Sequence, residues 1–159
     1  GGKMVPFAGW NMPIQYPTGV IQEHLCVRNR VGLFDVSHMG EIDIAGEDAA
    51  KLIQSLVTND ISRMVDGSVL YTLMCRDHGG VIDDLLVYRF TDMHYFFCVN
   101  AFNSDKDFQW VSDQAGAFNA QARNISDETG QFALQGPDAE TLLKSLCNIP
   151  LENLDYYYW

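Results

Sequence analysis

The run Gly79-Gly80-Val81-Ile82-Asp83-Asp84-Leu85-Leu86-Val87-Tyr88 constrains this chain most, because it sets two carboxylates inside an apolar, β-prone segment. Strands disfavour aspartate, whose short acceptor competes with the ladder for backbone donors. Successive strand residues face opposite sides. Asp83 therefore shares a face with Leu85 and Val87, and Asp84 shares one with Leu86 and Tyr88. The two do not line one site together, which excludes a paired-carboxylate acid/base centre. From the pattern alone, either both satisfy backbone donors at a hairpin edge, or one serves a site and the other the structure.

The segment Arg76-Asp77-His78-Gly79-Gly80 before it is a strong turn signal, so Val69–Cys75 and Ile82–Phe90 read as a β-hairpin, with Tyr95–Asn100 a third strand. Met39–Ala45 alternates and predicts another strand. Thr18–Val31 predicts a helix capped by Thr18 and ended by Gly32. Further helices are expected from Gly46-Glu47-Asp48 to Leu56, and from Asn103 or Ser104 to about Gln114. A last one starts at Gly136-Pro137 and is expected to bury Leu142, Leu143 and Leu146. Ala120–Ile125 and Gln131–Leu134 predict short strands. Helices and antiparallel strands mix without βαβ alternation, so the fold class is α+β, antiparallel sheets with packed helices.

Composition removes several function classes. The net charge of −11 argues against a nucleic-acid partner, which requires a basic face. No stretch of about 18 apolar residues occurs, so no membrane-spanning helix is expected. Cys26, Cys75, Cys98 and Cys147 lack CxxC spacing and sit in apolar settings, which reads as reduced, buried thiols. No GxGxxG, GxxxxGK[ST] or HExxH motif occurs, and His24, His38, His78 and His94 are scattered. Asp35, Ser37 and His38 are too close in sequence to be a convincing triad; a buried hydrogen-bonded turn is the expectation. The aromatic stretch from Val5 through Trp10 and Pro13 to Tyr16 either packs core or lines a flat-ring pocket. The closing Tyr156-Tyr157-Tyr158-Trp159 reads as a strand cut off partway.

Several segments together resemble the N-terminal portion of glycine cleavage T proteins, which are folate-dependent aminomethyltransferases. They are Phe7-Ala8-Gly9-Trp10-x-Met12-Pro13 with Gln15-Tyr16, then Glu23-His24-x-x-Val27-Arg28-x-x-Val31-Gly32-Leu33-Phe34-Asp35-Val36-Ser37-His38-Met39-Gly40-Glu41. Asn59-Asp60, Tyr71, the Gly79–Leu85 run, Asn100-Ala101, Lys106-Asp107 and Leu134-Gln135-Gly136-Pro137 follow in order. The resemblance implies part of a three-domain, cloverleaf-like fold. Residues 1–35 would open domain 1, 36–123 would be domain 2, and 124–159 would return into domain 1, with the third domain beyond this chain.

It implies further that the protein moves a one-carbon unit from the aminomethyl-lipoyl arm of H protein to tetrahydrofolate, giving methylene-tetrahydrofolate and ammonia. Tetrahydrofolate would be the co-substrate and no metal would be needed. The setting would be cytoplasmic in a bacterium, or mitochondrial in a eukaryote. Asp83, as the first of the Asp pair, would be the catalytic carboxylate beside the pterin, with Met39, Tyr71, Val87, Tyr88 and Asn100 at or near the folate. The alternative is a folate-binding relative without aminomethyl transfer. Examples are an iron–sulfur assembly helper, the folate domain of a sarcosine or dimethylglycine dehydrogenase, and a folate-dependent demethylase.

Overall fold

A computed structural model describes residues 1–159. In chain order the elements are β1 (Lys3–Phe7), β2 (Trp10–Gln15), α1 (Val20–Asn29), β3 (Gly32–Asp35), β4 (Gly40–Ala45), α2 (Ala49–Leu56), β5 (Val69–Cys75), β6 (Val81–Thr91), β7 (His94–Val99), α3 (Ser104–Ala115), β8 (Gln121–Asn124), β9 (Phe132–Gln135) and α4 (Ala139–Leu146), with short 3₁₀ turns between some of them. The chain divides into two units, Gly1–His38 with Gly130–Leu154, and Met39–Thr129 with Asp155–Trp159.

The larger unit is built on a five-stranded antiparallel sheet of order β5-β6-β7-β4-β8. One face alternates into the core: Leu70, Thr72 and Met74 on β5, Asp83, Leu85 and Val87 on β6, Tyr95, Phe97 and Val99 on β7, and Ile42 and Ile44 on β4. Leu52, Ile53 and Leu56 of α2 and Val111 and Ala115 of α3 close that core. Both helices present an apolar stripe at three- and four-residue spacing, which is what buries them against a sheet. Gly46 makes the β4–α2 turn possible. Its φ is +142°, and a Cβ there would stand 2.6 Å from the Ala120 Cα. Gly46→Ala is expected to cost about 2–4 kcal/mol in urea unfolding, from backbone strain plus overpacking.

In the smaller unit β1 and β2 form a hairpin, and β3 pairs with β9. The two-residue loop Ala8-Gly9 has φ of +48° and +84°, the left-handed geometry that tight hairpins use. The aromatic N-terminal stretch is therefore a hairpin, with Phe7, Trp10 and Tyr16 about half exposed instead of in the core. No residue of this unit is fully buried. Leu142 and Leu146 are accordingly exposed and Leu143 half-buried, contrary to the expected burial of the α4 leucines, because two separate two-stranded ladders enclose no core of their own. The Asp35–His38 segment is a partly exposed turn; the Ser37 hydroxyl accepts the Gln131 N–H at 2.9 Å, and Asp35 accepts from Ser37 N.

Within this chain the unit borders fall at His38/Met39 and Thr129/Gly130. The Ser126 hydroxyl accepts the Glu41 N–H, which ties the end of β8 to β4. Contrary to the expected burial of the cysteines, only Cys98, on a central strand, is buried among the four, while Cys26 on α1 is exposed. The aromatic C-terminus forms a turn and a single bridge to Ser68, with Trp159 packed edge-on against Phe90 at 4.4 Å. No helix is long and apolar enough to cross a membrane.

Candidate functional site

The β5–β6 register places Tyr71 opposite Leu86, Val69 opposite Tyr88, and Leu73 opposite Asp84. β7 continues these rows with Cys98 opposite Leu86 and Phe96 opposite Tyr88. Tyr71, Asp84, Leu86 and Tyr88 thus share the face opposite the helix-packed core. Tyr71 is 51% exposed, Asp84 is exposed, and Tyr88 packs edge-on against Phe96. The Tyr71 hydroxyl donates to Asp84 Oδ2 at 2.7 Å, and this bond raises the phenol's pKa.

Asp83 points the other way and is 5% exposed. Its Oδ2 accepts the Asn100 backbone N–H at 3.0 Å. Its Oδ1 accepts the Asn100 amide at 3.0 Å and the Asn103 amide at 2.7 Å. Burial pushes its pKa up, but hydrogen bonds from Asp107, Asn100 and Asn103 outweigh that and hold it below the usual carboxylate value. Asp83 is an ionised internal acceptor whose lone pairs are already used.

Asn100 joins the two aspartates. Its Nδ2 donates to Asp83 Oδ1, to the Asp84 carbonyl at 3.0 Å and to Asp84 Oδ1 at 3.2 Å. All three are acceptors, so the amide nitrogen must face them and the amide oxygen must face away. Asn103 is fixed by the same logic, because Lys106 Nζ donates to Asn103 Oδ1 at 2.9 Å while also donating to the Ile82 carbonyl.

Of the residues expected from sequence, Tyr71 and Asn100 come together with Asp84, and Tyr88 lies four residues further along β6 on the same face. Asp83 touches Asn100 from behind the sheet. Val87 is fully buried among core side chains and does not reach this face. Met39 is half-buried at the start of β4, beside Gly40, which pairs with Val99 next to Asn100. Asp84 and Leu86 belong to the face and were not among the expected site residues. The signal for them was present, since Asp84, Leu86 and Tyr88 share one parity.

Glu41 lies in the same row, opposite Cys98. It is fully buried and neither carboxylate oxygen meets a donor. Burial pushes its pKa up to about 7, with Ser126 opposing. The folded pKa exceeds the ordinary value of 4.5. The stabilising contribution is therefore complete below about pH 4.5, lost as pH rises toward 7, and constant above. Glu41→Gln should gain about 1–2 kcal/mol relative to the parent at pH 8 and almost nothing at pH 4.5, read by urea unfolding.

This sheet face carries two tyrosines, one exposed carboxylate and one oriented amide oxygen, groups chemically able to meet a flat ring bearing N–H donors. The profile of the GCVT N-terminal domain family matches residues 1–159. The chain is 48% identical to an aminomethyltransferase of Alkaliphilus oremlandii over 159 residues, all of this chain and 43% of that protein. It is equally similar to an aminomethyltransferase of Desulfitobacterium hafniense, with the same coverage. The solved structure of glycine cleavage system aminomethyltransferase T from Bartonella henselae superposes with a TM-score of 0.93 at 33% identity, covering 99% of this chain and 43% of that one.

The chain belongs to the GCVT N-terminal domain family, and it spans about 43% of the length of the relatives it matches. These relatives are named aminomethyltransferases, which does not favour the non-transferring folate-binding alternatives.

Proposed function

We propose that the full-length protein carrying this chain is the aminomethyltransferase of a glycine cleavage system. It would transfer the one-carbon unit from the aminomethyl-lipoyl arm of H protein to tetrahydrofolate, breaking the carbon–sulfur bond and releasing ammonia, methylene-tetrahydrofolate and the reduced, dithiol lipoyl arm. The observation that carries this reading is the Tyr71–Asp84–Asn100 cluster at the exposed end of an aromatic sheet face. Tyr71 and Tyr88 offer ring surface to a pterin, and the Asn100 amide oxygen and Asp84 accept its N–H groups. The bacterial relatives support a cytoplasmic setting.

The carboxylate that meets the ligand is Asp84 on this reading, and Asp83 orients Asn100 from behind. Asp84 would stabilise positive charge as ammonia leaves and the pterin nitrogen attacks, and would take up the proton that is released. Most of the remaining acceleration is positioning of two bound reactants. Met39 borders the site from the start of β4. Asp83 and Val87 contribute through the core and not by contact.

The test is methylene-tetrahydrofolate formation by the full-length protein from aminomethyl-loaded H protein and tetrahydrofolate. Product formation is expected. Tight tetrahydrofolate binding with no transfer would overturn the reading in favour of a folate-binding relative.

A further inference from the structure

Asp107 is a fully buried carboxyl on α3 that the proposed transfer does not use. No N–H or O–H group is aimed at either of its oxygens. The charged groups that meet it are the Asp83 carboxylate on β6 and, at 3.8 Å, Lys106 Nζ. Two buried carboxylates side by side cannot both ionise cheaply. Asp83 is the one whose charge is stabilised, because it holds three N–H donors from Asn100 and Asn103. That leaves Asp107 as the member of the pair suited to hold a proton.

We propose that Asp107 is a positioning residue: held neutral, it donates its carboxyl proton to Asp83, and Asp83 thereby fixes the Asn100 amide with its oxygen turned to the ligand face. The inference rests on the folate reading of that face. Its chain of contacts runs from Asp107 through Asp83 to Asn100 and on to Asp84 and Tyr71. Lys106 makes the arrangement one-directional. It clamps the Asn103 amide, so Asn103 also has only its nitrogen to give to Asp83.

Burial, and then the Asp83 charge, push the Asp107 carboxyl up to about 8. Loss of its proton sets a second anion against Asp83 and releases the Asn100 side. The coupled pair titrates as a unit, so the effect follows the pair and not one site alone. Asn at position 107 donates an N–H and has no proton to lose in this range; Leu donates nothing.

The experiment compares full-length parent, Asp107→Asn and Asp107→Leu between pH 6.5 and 9.5. Two readouts are taken: tetrahydrofolate affinity, and hydrogen-exchange protection of the 95–103 segment relative to intrinsic exchange rates. In the parent, affinity should fall about tenfold across the range and protection should fall with it. In Asp107→Asn both should change less than twofold from their own pH 6.5 values. Asp107→Leu should show weakened affinity and low protection at every pH.

An alkaline loss of equal size in the parent and in Asp107→Asn would overturn the proposal, as would a flat parent profile. The exchange readout needs no ligand. A parent that binds no tetrahydrofolate but shows the protection pattern would sink the folate reading and leave the Asp107–Asp83 assignment standing.

Discussion

Replacing Asp84 by Asn should lower the rate of the proposed transfer by the full-length protein roughly a hundredfold or more, with tetrahydrofolate affinity changed only a few-fold. Asparagine keeps the size of the side chain and can still accept from the Tyr71 hydroxyl, which donates at 2.7 Å. What disappears is the negative charge and the ability to take a proton. The effect therefore belongs in kcat and not in binding. Single-turnover kinetics with aminomethyl-loaded H protein separates the two. A variant with full kcat would remove Asp84 from the chemistry and return attention to its neighbour.

Asp83→Ala should act on a different quantity. It takes away the acceptor of the Asn100 backbone N–H and of the Asn100 and Asn103 amides, and it removes the carboxylate that faces Asp107. Leaving several buried polar groups unpaired costs on the order of 3–5 kcal/mol. Urea unfolding of the full-length chain should show that loss. Activity at low temperature should fall with the disorder of Asn100, and should be partly kept in Asp83→Asn. A change in stability of under about 1 kcal/mol would contradict the internal role assigned here.

Most of the larger unit could be read in the sequence, and the reasons are local. Val69–Cys75 matches β5 residue for residue, because β-branched and aromatic residues alternate up to an unmistakable turn at 76–80. The helices ending at Leu56 and near Ala115 carry their own apolar stripes. Less was legible where the outcome depends on what packs against an element. The α4 leucines have the spacing of a buried face, yet two are exposed. The Phe7–Tyr16 stretch is apolar enough for a core, and its hairpin is set by two left-handed loop residues.

The site shows the same division. Alternation alone separated Asp83 from Asp84, and Tyr88 already shared its parity with Asp84 while Val87 shared its parity with Asp83. Which face was buried depended on α2 and α3 closing over Leu85 and Val87, a tertiary fact with no local signal. Lys106 and Asp107 stood out only as a short match to relatives. The bond from Lys106 to the Ile82 carbonyl spans 24 residues and that from Asn103 to Asp83 spans 20, and both appear only once α3 is packed.

A crystal structure of the full-length protein with tetrahydrofolate bound would decide between the two carboxylates. The pterin is expected on the exposed end of the sheet face, against Tyr71 and Asp84 and reaching toward Tyr88. The Asn100 amide oxygen should accept from the ring, and Asp83 should lie out of reach behind the sheet. A pterin in direct contact with Asp83, or bound away from this face altogether, would contradict that placement.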